Sequence, residues 1–209
     1  MISAEVVIVG KTNVKGQACV GALTLDGATP LRLKPPFKPF WKVREFALGE
    51  VWQIEFEEAP EKKNPHHREN VSVFEKRKIG MKSRDEIAAF LDQQKLVPDN
   101  DDPREVFRFS DKRNHVRERH SRLFIPDQDC ALALNSVGFF RRSVDTPRIE
   151  RMGEGELKVY FQFGDYLVKY VGFEAAPAVL QAGTIIRLST ATKMLEMENR
   201  AYMQVSGWF

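Results

Sequence analysis

Little in this chain is suited to covalent or metal chemistry. Its 209 residues hold two cysteines, Cys19 and Cys130, too few for a disulfide framework or for a zinc site of cysteines alone. No run approaches the roughly 18 apolar residues of a membrane-crossing helix, and Met1-Ile2-Ser3-Ala4-Glu5 has no basic lead into an apolar stretch. The expectation is a soluble, cytoplasmic protein. Charge of one sign is missing too: 32 Lys and Arg against 29 Asp and Glu leave a net +3. Any attraction for a polyanion must therefore come from local clustering. No catalytic motif is complete. Gly10-Lys11-Thr12 resembles the end of a phosphate loop, but Glu5 stands where the loop needs glycine, and no helical pattern follows.

What is present is a hydrophobic fraction of 43%, enough to bury a core, in a length that fits one large domain or two small ones. The periodicity is that of strands. Ala4 to Val9 is an apolar run stopped by Gly10, and Gln17 to Leu25 follows it. Asp26-Gly27 then forms a turn into Leu31 to Lys34, since glycine accepts the positive φ of a hairpin. Val51 to Glu57 alternates, with Trp52, Ile54 and Phe56 on one face and Gln53, Glu55 and Glu57 on the other. That pattern gives one buried and one wet face. Asn70 to Phe74 makes a fifth strand, and five short strands fit a small barrel.

One helix is clear. Ser83-Arg84-Asp85-Glu86 is a capping box, and Ile87, Phe90 and Leu91 form an apolar stripe that should end near Leu96, before Val97-Pro98. Strands resume at Asp129 to Ser136, Arg148 to Met152, Leu157 to Phe163, Tyr166 to Phe173, Thr184 to Ser189 and Ala201 to Ser206. Ala175 to Leu180 reads as a helical turn. The expected fold is all-β with one or two short helices, as two tandem small OB-like barrels: residues 1–78 and 126–209, joined by a linker over 79–125. The halves look weakly alike, each opening with a cysteine-containing apolar segment, Ala18 to Leu23 and Asp129 to Leu134.

These residues carry a family resemblance. Glu5 to Gly21, Gly49-Glu50-Val51-Trp52-Gln53-Ile54 and Pro65-His66-His67-Arg68-Glu69-Asn70-Val71 resemble motifs of the dual-OB domain family. Asn70 stands where that family has aspartate, and its double proline is reduced to Pro65. Cys130 to Leu134 and the Tyr160 to Val171 hairpin are similar to its second OB unit. The resemblance implies two OB barrels in tandem and nucleic-acid binding, with no established reaction. It also suits a structural or interface role for His67 and Glu69, and Trp52 belongs to its strand motif.

Two segments are candidates for binding. In Arg32 to Arg44 the cations Arg32, Lys34, Lys38, Lys42 and Arg44 interleave with Phe37, Phe40 and Trp41, and no acid interrupts them. Pro30, Pro35, Pro36 and Pro39 keep the stretch extended and out of a central strand. Cations that follow phosphates and rings on which bases stack are what a single strand requires. The same rings could pack beneath the barrel, and both readings stand at this point. The second segment, Arg104 to Arg122, carries seven cations, among them Lys112, Arg113, Arg117, Arg119 and Arg122, against three acids. It reads as a basic bridge along a nucleic acid or as a solvated arm. Arg141-Arg142 is a smaller candidate. His66-His67-x-Glu69 invites a metal, but adjacent histidines on a strand point to opposite faces, so no metal and no cofactor is expected. The cysteines read as small buried hydrophobes. The expected function is non-enzymatic binding of nucleic acid, single-stranded DNA or RNA. The alternatives are an adaptor docking on a nucleic-acid-processing partner and a metal-dependent nucleic-acid hydrolase using His66, His67 and Glu69.

Overall fold

The computed structural model describes residues 1–38, 40–59, 69–98, 101–153, 155–191 and 200–209. Mainly β, with two short helices, the chain divides into two compact units, Met1–Leu96 and Val97–Trp208.

In unit 1, strands β1 (Ile2–Val14), β2 (Gln17–Thr24), β3 (Pro30–Lys34), β4 (Glu50–Glu58) and β5 (Asn70–Met81) close a barrel in the order β1-β2-β3-β5-β4. All neighbours are antiparallel except β3 and β5, which run parallel at Arg32↔Asn70 to Lys34↔Ser72. Closure falls to β1, which is long enough to pair with both β2 and β4 and is kinked by an irregularity between Ile8 and Gly10. Such a bulge lets one strand bend round a barrel. The Val6–Gly10 and Val20–Thr24 runs are buried throughout, which is why they read as continuous apolar stretches rather than alternating ones. β4 alternates as expected at Ile54 and Phe56, while β5 runs seven residues past Phe74, to Met81.

Helix α1 (Arg84–Gln93) belongs to this unit. The capping box is present: Ser83 Oγ accepts from the Glu86 amide, and the Glu86 carboxylate accepts from the Ser83 amide at 2.7 Å. Ile87 and Leu91 are fully buried. The helix stops before Leu96 because Lys95 takes a left-handed φ of 53°. The amides of Lys95 and Leu96 then donate back to the Asp92 and Leu91 carbonyls, a Schellman end with lysine in the usual glycine place.

Unit 2 is a nine-stranded sheet. Its members are β6 (Arg117–Arg119), β7 (Arg122–Pro126), β8 (Val137–Arg141), β9 (Thr146–Gly153), β10 (Glu156–Phe163), β11 (Tyr166–Tyr170), β12 (Val179–Leu180), β13 (Ile185–Thr190) and β14 (Arg200–Trp208). The main path is β12-β9-β10-β11-β14-β13-β8, with the β6–β7 hairpin attached to β14. Within that path, β9-β10-β11-β14-β13 repeats the strand order of unit 1, and the third and last strands in sequence, β11 and β14, are again the parallel pair. Both units are thus consistent with OB-like barrels, the second without pairing between β13 and β9 among the described residues.

Three expectations change. The stretch 97–125 is no linker: Val106, Phe107, Phe109, Val116, Leu123 and Ile125 lie in the core of unit 2, beside Phe140, Phe161 and Val205. Asp129 to Ser136 is no strand. Pro126 starts helix α2 (Asp127–Cys130), whose first turn carries Asp127 and Asp129, and Cys130 is buried at its end. The likeness between the halves therefore lies in strand order and not in the two cysteine segments. Ala175 to Leu180 forms no helical turn, because Val179 and Leu180 pair with Pro147 and Thr146. Among the described residues no helix is long and apolar enough to cross a membrane.

Candidate nucleic-acid interface

In unit 1 the proline-rich segment after β3 folds back on the barrel. Trp41 bridges to Ala18 on β2 through two backbone hydrogen bonds, of 2.9 and 3.0 Å. Its indole N–H donates to the Leu33 carbonyl at 2.9 Å, and only 7% of the residue is exposed. Trp41 meets Phe46 edge-on at 5.0 Å, and Phe46 meets Trp52 at 4.9 Å. Into this ring box reaches Lys76 from β5, its Nζ lying 4.6 Å from the Trp41 ring centre, 4.5 Å from Phe46 and 5.4 Å from Trp52. The ammonium is also paired with Glu45 at 2.6 Å. Burial would raise the Glu45 carboxyl, but its contacts with Lys76 and Lys42 prevail and hold it below the usual range.

The box is braced from outside. Glu50 accepts from the Trp52 indole at 3.0 Å and from the Ala47 amide at 2.7 Å. Lys11 donates to the carbonyls of Val43 and Phe46. Phe46 is held at φ 64°, a region that a bulky residue occupies only when its surroundings over-determine it. The aromatic composition of this segment therefore serves packing at Trp41, which has no open face for a base. Arg32 is likewise buried, its amide donating to the Glu69 carbonyl at 2.7 Å. Lys34 and Phe40 are half-buried. Phe37 is 91% exposed, and Lys38, Lys42 and Arg44 are exposed as well. Trp52 and Glu69 are half-buried. Pro39, His66 and His67 lie outside the described residues.

Unit 2 divides the second basic segment. Lys112 and Arg113 are exposed in a turn, where Arg113 pairs with Asp111 at 2.8 Å. That turn is fixed by His115, which is buried: its Nε2 lies 2.9 Å from Asp111 Oδ2, and its ring packs 4.9 Å from Phe109. Nδ1 is 3.2 Å from Asp129 Oδ2, near enough for attraction but not a hydrogen bond. The hydrogen bond to His115 is the main cause that lowers the Asp111 carboxyl to about 2.

From the turn the chain enters the β6–β7 hairpin, and here the basic residues gain aromatic company. Register pairs Arg117 with Phe124, Phe124 with Tyr202, Arg119 with Arg122, and Arg200 with Pro126. Side chains opposite one another in a sheet share a face, as do those two residues apart on one strand. Arg117, Arg119, Arg122, Phe124, Arg200 and Tyr202 therefore share the outer face. The residues between them on β7 and β14, Leu123, Ile125, Ala201 and Met203, are in the core. The Phe124 and Tyr202 rings lie 5.8 Å apart at 55°. The Arg122 guanidinium sits 4.0 Å over Tyr202, and that of Arg200 sits 5.0 Å over Phe124. Arg117 and Arg119 are exposed beside them.

This arrangement alternates cation and ring. Phe124 is buried, with 8% exposed, and serves as packing beneath Arg200, so half-buried Tyr202 and the guanidinium planes are the flat groups left for bases. Of the residues expected from the second segment it brings together Arg117, Arg119 and Arg122, and it leaves out Lys112 and Arg113. Phe124, Arg200 and Tyr202 were not anticipated. The signal for them is the period of two in Arg122 to Ile125 and in Arg200 to Val205, whose outward positions are cations, rings and one glutamine. Comparison with family models finds no match, nor does comparison with curated proteins or with solved structures.

Proposed function

We propose that the protein binds single-stranded nucleic acid, without catalysis, on the outer face of β6, β7 and β14 in unit 2. The observation that carries this reading is the convergence of Arg117, Arg119, Arg122 and Arg200 on the Phe124 and Tyr202 rings. Four guanidinium groups supply the sequence-independent attraction to phosphate. Tyr202 and the guanidinium planes supply surfaces on which unpaired bases stack, a mode closed to a duplex whose base faces are already occupied. Membership of the dual-OB family is part of the same proposal, supported by the strand order that the two units share. The exposed Phe37 and Lys38 of unit 1 are offered as a secondary contact.

Fluorescence anisotropy with labelled single-stranded DNA and RNA tests the reading. Tyr202→Ala is expected to weaken binding by about 1–3 kcal/mol, the usual worth of one stacked base. Phe37→Ala is expected to have a smaller effect. Absence of binding by the wild-type protein at low salt refutes the proposal.

A further inference from the structure

The face that carries Tyr202 does not end at β14. Two residues on, Gln204 shares its orientation and is paired with Lys169 of β11. Lys169 is paired with Tyr160 of β10. Two residues before Tyr160, Lys158 faces Arg151 of β9. By the same pairing and two-residue rules Gln204, Lys169, Tyr160, Lys158 and Arg151 lie on the side of the sheet that bears Tyr202. The alternate positions, Phe161, Val168 and Val205, are in the core. Tyr160, Lys158 and Lys169 are half-exposed and Arg151 is exposed. Glu156 shares this side at the hairpin end of β10, leaving three cations against one acid beside a second ring.

We infer that Tyr160, with Lys158, Lys169 and Arg151, forms a second subsite of the same interface, and that the ligand is one strand long enough to reach both rings. This rests on the function proposed above and specifies the ligand further. Tyr202 and Tyr160 are separated by two strand spacings and an offset of two residues, which places their Cα atoms about 12 Å apart. A stacked strand advances about 3.4 Å per nucleotide, so three or four steps separate the rings. A chain of about five nucleotides is then the shortest that fills both, and a mononucleotide or dinucleotide fills one. The strand crosses β14, β11 and β10 obliquely, at about 55° to them, with Lys169 and Lys158 along one side of the line that joins the rings. A duplex of the same length gains from the cations alone, because neither ring reaches an unpaired base.

The test is anisotropy with labelled oligothymidylates of about three and about twelve nucleotides, at one low salt concentration. Wild type is compared with Tyr160→Ala and with Arg151→Gln, an exposed position whose change leaves the core intact. The longer oligonucleotide should bind at least tenfold tighter than the shorter to wild type. Both variants should weaken the longer and leave the shorter unchanged. Equal affinity for the two lengths, or equal weakening of both by the variants, overturns the second subsite while the proposed function stands. Duplex binding as tight as single-strand binding also overturns it. Failure of wild type to bind either length overturns the proposed function itself.

Discussion

Salt dependence gives the sharpest prediction from this interface. Each phosphate neutralised by a protein cation releases counterions, and for single strands the logarithm of affinity falls with that of salt with a slope of about −0.7 per contact. Arg117 and Arg119 are exposed on the shortest strand of the hairpin and stack on neither ring. Replacing both with glutamine should therefore remove two phosphate contacts, along with the hydrogen bond that Arg117 donates to the Asn114 carbonyl at 3.0 Å, which does not enter the salt slope. The slope should become less steep by about 1.4. Between about 50 and 200 mM salt, wild-type affinity should then fall about sevenfold more than that of the Arg117→Gln, Arg119→Gln variant. The difference does not depend on how many other cations the ligand meets. Anisotropy titrations at four or five salt concentrations measure it. Parallel plots for the two proteins would show that these arginines touch no phosphate and would refute the placement of the strand on β6.

Two further predictions concern the supports of the two units. Lys76→Met keeps the aliphatic stem but removes the ammonium from the Trp41, Phe46 and Trp52 box and from Glu45, and should lower stability by about 1–2 kcal/mol in urea unfolding. Unchanged nucleic-acid affinity is expected alongside, and an unchanged unfolding midpoint would mean that the rings hold the segment without the cation. The Asp111 carboxyl lies at about 2, below its ordinary value of about 4. Its contribution is complete above pH about 4 and is lost as pH falls through about 2, because the unfolded chain takes up the proton first. Asp111→Asn should flatten the acid limb of the stability curve over that window, as read by urea midpoints at successive pH values. An acid limb as steep as that of wild type would place the sensitivity elsewhere.

Local features were legible wherever a residue's neighbours in sequence are also its partners in space. The capping box at Ser83 and Glu86, the alternation of Ile54 and Phe56, and the Phe163 to Tyr166 hairpin all depend on contacts within a few residues. Strand periodicity likewise indicated a β-rich fold. Asp129 to Ser136 misled because a short run of alanine and leucine satisfies a strand and a helical turn equally. Pro126 and the acids after it decide for the turn by starting a helix. Chain length and polarity made 97–125 look like a linker, yet its apolar residues, Val106, Phe107 and Phe109 among them, are spaced irregularly and acquire meaning only when Phe140 and Phe161 come to meet them.

The interface divides in the same way. By itself the sequence determined where cations and rings are concentrated, and hence that a polyanion is the natural class of ligand to consider. It could not determine which rings have an open face. Trp41 and Tyr202 are both aromatic and both lie near arginine or lysine. Trp41 is closed off because Ala18, Phe46 and Lys76, distant in sequence, converge on it. Tyr202 stays half-open because β14 turns Arg200, Tyr202 and Gln204 outward, Tyr202 beside Phe124 and Arg122. Charge and aromaticity belong to residues, whereas exposure and adjacency belong to the register of strands, and register is set by the tertiary fold.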